Sequence, residues 1–176
     1  MPTYIAFLRA INLGSTRKFP KAAIVRACEG AGFTDVETYI NSGNVRVTTP
    51  MRSTAKVEAA LEEAFAGEAG FEVPTVALTQ KELREIAADA VELGEGHEGR
   101  YYVSLLKKAP STADARKLDG AGNDGERAVV RGRGAHLLLG ADYHTATLTN
   151  AVVEKRLGVS TNRNLNVIRT LAEKWG

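Results

Sequence analysis

The sequence has a single cysteine, few aromatic residues and no long apolar run. Cys28 is the only cysteine among 176 residues, which excludes an internal disulfide and is typical of a reducing compartment. No stretch approaches the roughly 18 apolar residues that a membrane-spanning helix needs, and Arg9 interrupts the apolar run that follows Met1. These features predict a cytoplasmic protein that makes no membrane contact.

The chain also lacks an excess of charge of either sign. Its 23 basic and 21 acidic residues give a formal charge of +2 and a pI near 8.7. Hydrophobic content of 44% with 5 prolines is typical of an ordinary globular protein. Because the total charge is so nearly balanced, neither nucleic acid nor a membrane is indicated by composition, and any partner must be argued from local motifs.

Metal-binding and nucleophilic signatures are missing as well. The three histidines, His97, His136 and His144, do not stand at the spacings of metal ligands. Cys28 falls on the apolar stripe of a predicted helix and is best explained as a small core residue. Ser42 lies in a tight turn, but its NSGN context differs from the nucleophile elbow. We therefore predict no metal and no cofactor, and the sequence leaves open whether the protein is an enzyme.

Two glycine-rich segments resemble known loops only superficially. GEGHEG at 94–99 matches the letters of a dinucleotide loop, but it follows a helix and precedes a strand, which is the reverse of the required context. DGAGNDGE at 119–126 places an alanine at a calcium-ligand position, so its register fails. Both segments are predicted to be connecting loops.

Apolar periodicity predicts alternating strands and helices in the first half. The strands are predicted at 3–10, 36–40, 44–48 and 71–79, and the helices at 20–32 and 53–66. The order βαββαβ is that of a ferredoxin-like unit.

The second half loosely repeats this order. Helix 79–91 and strand 100–106 are followed by a short helix at 111–118, a hairpin around Arg133 and two helices at 150–157 and 162–174. We predict an α+β protein of two ferredoxin-like (α-β plait) halves packed together, plus a C-terminal helix pair. The halves are placed at 1–78 and 79–176, and the boundary stays open because strand 71–78 fits either.

Two polar segments, residues 8–18 and 39–45, each follow a predicted strand. In a βαββαβ unit the first and second strands run the same way, so the loops after them lie at the same end of the sheet. The third strand lies beside the first, which should bring Asn44 close to Arg9. We therefore expect these segments to share one polar rim.

Three motifs, LRAINLG, YINSGNV and TNRNLNVIRTL, resemble the bacterial domain-of-unknown-function family 1697 in the right order over nearly the whole chain. The resemblance implies two ferredoxin-like halves and no assigned activity. The chain departs from the family pattern at Ala10 and Ser15, where glycine is common, at Leu165, where Trp is common, and at Val167, where Thr is common. The matching positions are Arg9, Asn12, Gly14, Asn41, Ser42, Gly43, Asn44, Arg163 and Asn164.

We expect the rim to bind a small anionic or phosphate-bearing ligand. Backbone N–H groups near Gly14 and a following helix N-terminus suit an anion, although the spacing is not that of a P-loop. The predicted ligand-binding residues are Arg9, Asn12, Gly14, Arg17, Lys18, Asn41, Ser42, Gly43, Asn44, Arg163 and Asn164. Arg163 and Asn164 would complete a pocket between the halves. The alternative is that these polar side chains only satisfy backbone groups.

Nucleic acid is a competing but less favoured partner. Helix 150–157, the turn at Gly158 and a helix starting TNRN are similar to a helix-turn-helix, in which Asn162, Arg163, Asn164 and Asn166 would read bases with support from the arginines at 127, 131 and 133. The apolar stripe of the last helix favours docking on the protein body instead. The sequence leaves the oligomeric state open.

Overall fold

A computed structural model describes residues 1–41, 43–141 and 143–176, so Ser42 and Asp142 lie outside the described residues. The chain divides into two compact units, Met1–Lys81 with Trp175, and Glu82–Lys174 with Gly176. It is a mixed α+β protein with two four-stranded antiparallel sheets. Within the described part of the chain, no helix is long and apolar enough to span a bilayer.

The first unit is one sheet with two helices. Its elements are β1 (Thr3–Leu8), α1 (Lys21–Gly30), β2 (Thr34–Tyr39), β3 (Asn44–Thr48), α2 (Thr54–Ala69) and β4 (Thr75–Thr79), with α3 (Gln80–Leu93) following. The strand order is β2-β3-β1-β4, and every neighbouring pair is antiparallel. β4 therefore pairs with β1 and completes this sheet.

The core of the first unit lies between β1 and the helices α1 and α2. Alternate residues of β1, Tyr4, Ala6 and Leu8, are buried in this core. Phe19 and Phe65 meet edge to face at 5.5 Å between ring centroids, which anchors the start of α1 against α2. The apolar residues whose spacing predicts these helices are thus the residues that are buried in this core.

Two carboxylates of α2 cover the free edge of β4. The backbone N–H of Ala77 donates to Glu58 Oε2 at 2.9 Å, and that of Thr75 donates to Glu62 Oε1 at 3.0 Å. Glu58 is only 3% exposed. Because β4 is an edge strand, these hydrogen bonds satisfy N–H groups that no further strand pairs with.

The second unit repeats the strand arrangement of the first. It contains most of α3, followed by β5 (Tyr101–Leu106), α4 (Thr112–Ala115), a 3-10 turn at Arg116–Leu118, β6 (Arg127–Arg131), β7 (Gly134–Leu138), a 3-10 turn at Tyr143–Thr145, α5 (Asn150–Leu157), β8 (Ser160–Asn164) and α6 (Leu165–Trp175). The strand order is β6-β7-β5-β8. Each strand occupies the place of the strand four numbers earlier, so the two sheets share one topology.

The predicted C-terminal helix pair is wrong at the start of its second helix. Residues Ser160–Asn164 are not helical but form β8, which pairs with β5 from Leu106↔Ser160 to Tyr102↔Asn164. The helix begins only at Leu165, where Asn164 Oδ1 accepts a hydrogen bond from the N–H of Val167 at 2.9 Å. The helix predicted from the sequence starts at residue 162, but residues 162–164 pair with β5 and adopt the strand conformation instead.

Candidate functional site

The two polar segments meet in the first unit. We call residues 9–18, 40, 41, 43 and 44 the rim. Leu8, at the end of β1, donates its N–H to the carbonyl of Gly43 at 2.8 Å. Asn12 Nδ2 reaches the carbonyl of Asn41 at 2.8 Å. The strand order thus brings together loops that are about thirty residues apart in sequence, as expected from the βαββαβ order.

Asn12 holds the first loop closed. Its Oδ1 accepts from the N–H of Phe19 at 2.8 Å, while Nδ2 donates to the carbonyl of Phe19 at 3.1 Å and to that of Asn41. Both ends of the amide are therefore bound to backbone groups, which fixes the path of the first loop.

Arg17 is similarly engaged by the protein itself. Its guanidinium donates to the carbonyl of Ala10 through Nε and to that of Glu72 through Nη2, the latter at 2.7 Å. The same group lies over the ring of Phe71, 4.5 Å from its centroid. Arg17 thereby ties the loop to the segment that precedes β4, while its positive charge stays at the rim.

The turn between β2 and β3 depends on Gly43 and Asn44. Asn44 is fully buried, and its Nδ2 donates to the carbonyl of Tyr39 at 3.0 Å. A Cβ added at Gly43 would lie 2.7 Å from Leu8 Cβ and 2.9 Å from Ile11 Cδ1, and the backbone has a φ of +84°. Only glycine fits this close approach without displacing the first loop.

Left-handed backbone concentrates in the rim. Non-glycine residues with positive φ are Ala10 at 54°, Asn12 at 53°, Arg17 at 50° and Ile40 at 51°, and outside the rim the described residues add Asp35. For Ile40, a β-branched residue, this conformation is particularly unfavourable. Such residues persist only where surrounding contacts hold them, and they cluster at functional sites.

The outward surface of the rim is polar with two apolar side chains. Gly14, Lys18 and Asn41 are exposed. Leu13 is 52% exposed and Ile40 is 39% exposed, which is unusual for large apolar side chains. Arg9 is half-buried. The groups that remain available to a ligand are therefore the Lys18 ammonium, the exposed loop backbone around Gly14 and a small apolar surface.

Arg163 and Asn164 lie in the second unit, on β8. Arg163 is 6% exposed, and Nη1 donates to Thr161 Oγ1 and to the carbonyl of Asn162, both at 2.8 Å. Burial lowers the pKa of its guanidinium to about 10. Asn164 caps α6 and lines a cleft of about 260 Å³ together with Arg100 and residues 101, 102, 165 and 166. Their predicted contribution to a pocket shared with the rim stays a prediction.

The proposed helix-turn-helix is absent because β8 occupies the position of its recognition helix start. The supporting arginines are also engaged. Arg131 pairs with Asp89 at 3.1 Å and with Glu92 at 3.2 Å. Arg133 donates to the carbonyl of Leu106 at 2.9 Å. Two of the three arginines named for nucleic acid therefore stabilise the hairpin, and Arg127 is exposed.

Cys28 is buried in α1, and burial raises the pKa of its thiol to about 12, so it is protonated at neutral pH. Among the described residues, no group of three or more His, Cys, Asp or Glu side chains is placed to hold a metal ion.

Sequence reasoning missed one buried polar pair. His136, which is fully buried on β7, places Nδ1 2.8 Å from the hydroxyl of Tyr101 on β5. Burial lowers the pKa of His136 to about 4 and raises that of Tyr101 to about 12. Nε2 of His136 has no hydrogen-bond partner among the described residues. All five residues of β7 are buried, so its burial pattern does not single out position 136, and nothing in the sequence identifies Tyr101 as the partner of His136.

Comparisons with known proteins bear on family and fold. A family model described as "Protein of unknown function (DUF1697)" matches residues 1–135. The chain is similar to a solved structure, that of the conserved bacterial protein SP0830 from Streptococcus pneumoniae, with a TM-score of 0.74 and 18% identity over 99% of this chain and 98% of that one. No curated protein matches the sequence. At this identity, the structural likeness establishes the fold alone.

Proposed function

Because the chain belongs to the DUF1697 family, whose function is unknown, we propose a function from the geometry of the rim: it binds a small anionic ligand that carries a phosphate or a similar group. The proposal concerns the first unit alone. It does not depend on Arg163 or Asn164, which lie in the second unit.

The observation that carries the proposal is the concentration of left-handed residues in two loops that hydrogen bonds hold together. A connection that only joined β1 to α1 would not need Ala10, Asn12 and Arg17 in the left-handed region, and a turn that only joined β2 to β3 would not need Ile40 there. For Ala10, Arg17 and Ile40 this conformation costs roughly 1–2 kcal/mol each, so the strain is substantial. A ligand site needs this kind of fixed backbone, because preorganised donors lose less entropy on binding.

The rim residues divide into two groups by their contacts. Asn12, Arg17 and Asn44 are bound to backbone groups and hold the loops in place. Lys18 and the loop backbone around Gly14 are exposed, and they precede the positive N-terminal end of α1. A phosphate would thus be contacted by the Lys18 ammonium and by loop N–H groups.

Thermal unfolding with simple anions tests the proposal. Inorganic phosphate, pyrophosphate and a nucleoside monophosphate are each added at about 10 mM. A ligand present at 100 times its Kd raises the free energy of unfolding by about 2.7 kcal/mol. Several degrees of increase in Tm are expected for a chain of this size. Lys18→Ala should reduce the increase, whereas Lys56→Ala, an exposed lysine of α2, should retain it. No increase with any probe, or an equal loss in both variants, would contradict the proposal.

We also infer that each unit is a ferredoxin-like half. The support is the strand order β4-β1-β3-β2 in the first sheet, read from its β4 edge, and β8-β5-β7-β6 in the second. In the first unit, α1 and α2 connect the strands at the two places where that fold has helices. A cytoplasmic location is inferred from the single, buried cysteine.

A further inference from the structure

The two sheets share more than their strand order, because the ends of β1 and β5 are held by matching backbone hydrogen bonds. The last residue of β1, Leu8, donates to the carbonyl of Gly43 at 2.8 Å, and the last residue of β5, Leu106, donates to that of Arg133 at 2.8 Å. In both units the acceptor lies in the hairpin turn that faces the end of the first strand. The second unit therefore has an equivalent of the sheet end that carries the rim in the first unit.

The next residue along the chain repeats the match. The backbone N–H of Arg9 donates to the carbonyl of Pro74 at 2.9 Å, and the backbone N–H of Lys107 donates to that of Val159 at 2.9 Å. The acceptors precede β4 and β8, respectively. Only the connection that follows differs, since it runs from 9 to 20 in the first unit and from 107 to 111 in the second.

Basic side chains collect at this equivalent end of the second unit. Lys107 and Lys108 follow β5, and the pairing of Leu106 with Ser160 places the end of β5 beside the start of β8. The last turn of α5, with Lys155 and Arg156, leads directly into that start. These cations therefore lie at one end of one sheet.

The 3-10 turn after α4 adds two more cations. Arg156 Nη1 donates to the carbonyl of Lys117 at 2.6 Å, which joins this turn to α5. We call the six residues the basic surface; all are exposed except Lys107, which is half-buried. Its members are Lys107, Lys108, Arg116, Lys117, Lys155 and Arg156.

Acidic residues compensate this charge only in part. Segments 107–119 and 154–159 contain six basic and three acidic residues, a surplus larger than the +2 of the whole chain. Two of the carboxylates are engaged: Asp114 pairs with Lys117 at 2.8 Å, and Glu154 Oε1 accepts from the N–H of Ser160 at 3.3 Å. These two segments therefore carry a surplus of positive charge, on a surface that the hydrogen-bonded frame holds in place.

We propose that the basic surface binds the phosphate backbone of a duplex nucleic acid. Several exposed cations spread over a loop, a turn and a helix end suit repeated phosphates better than one small anion. Segments 107–119 and 154–159 contain no aromatic residue on which an unpaired base could stack, which disfavours a single strand. Val159, which is 39% exposed, lies beside these cations, and this apolar area is too small for insertion into a membrane. The proposal is independent of ligand binding at the rim.

Fluorescence anisotropy with the 176-residue chain and a labelled duplex tests this. Binding should be measurable at about 20 mM salt, and the logarithm of the association constant should fall linearly with the logarithm of salt concentration. The double variant Lys108→Ala/Lys155→Ala should bind more weakly and lower the magnitude of the slope by about 2, since each lost phosphate contact removes about 0.9.

A charge-matched variant provides the control. Arg52→Ala/Lys56→Ala also removes two positive charges, but from exposed positions near the start of α2. It should leave the affinity for the duplex and the slope of its salt dependence unchanged. An equal loss in this control would mean that only net charge matters, and would overturn the proposal. So would an absence of duplex binding at about 20 mM salt, whether or not vesicles with about 30% anionic lipid bind.

Discussion

Mild acid should destabilise this protein through His136. The imidazole is fully buried on β7, in contact with the Tyr101 hydroxyl, and burial lowers its pKa from 6.5 to about 4, with opposing smaller effects of Asp89 and Arg131. Between these two pH values an unfolded chain binds a proton at this position that the folded chain does not. The free energy of unfolding is therefore highest above pH 6.5, falls as the pH decreases, and receives no further loss from this group below about pH 4.

The size of this effect follows from the displacement of the pKa. A lowering from 6.5 to about 4 corresponds to about 3 kcal/mol, at 1.36 kcal/mol for each pH unit. Most of that loss should be present at pH 4.5. Since folded domains are commonly stable by only about 5–15 kcal/mol, one histidine would account for a sizeable fraction of the acid sensitivity.

Urea unfolding at pH 7.5 and pH 4.5 measures this loss. His136→Gln removes the titrating group and should lose about 2–3 kcal/mol less than the unchanged chain between the two pH values. The comparison of pH dependences cancels carboxylates, which titrate in both proteins, and any constant effect of the substitution. His144→Gln, at an exposed position, is the control and should behave as the unchanged chain. The reasoning is refuted if His136→Gln and the unchanged chain lose the same free energy.

Two further predictions concern the rim. Ala10→Gly should raise the free energy of unfolding, measured in urea, by up to about 1 kcal/mol, because glycine relieves a φ of 54°. Ala59→Gly, on the exposed face of α2, should lower it by about 1 kcal/mol. A loss at both positions would argue against strain at Ala10. Asn12→Ala should cost about 2 kcal/mol, because it leaves the Phe19 N–H and the Asn41 carbonyl without its amide, and unaltered stability in urea unfolding would show that Asn12 does not hold the loops.

Much of the fold could be predicted from local pattern. The β1 run and the apolar stripe of α1 report their burial directly, and the βαββαβ order then places residues 8–18 beside 39–45. β8 could not be predicted this way. Its buried residues, Ser160, Thr161 and Arg163, are all polar, so neither alternation nor apolar content marks a strand. It forms because β5 offers an edge, which is a tertiary effect.

The candidate site could be located from sequence but not resolved into roles. Asn12 and Lys18 are both polar loop residues, and nothing local distinguishes the one that is bound to backbone from the one that is exposed. That difference depends on where the carbonyls of Phe19 and Asn41 fall once the sheet has formed. The left-handed conformations of Ala10 and Ile40 likewise follow from loop closure rather than from residue preference.

Glu58 and Glu62 make the β4 edge of the first sheet a poor template for another chain. An incoming strand would have to displace both carboxylates from the N–H groups of Ala77 and Thr75 before it could pair with β4. It would also leave the buried Glu58 without the hydrogen bond that compensates its burial. Aggregation by strand addition at this edge is therefore opposed by the folded chain itself for as long as α2 stays docked.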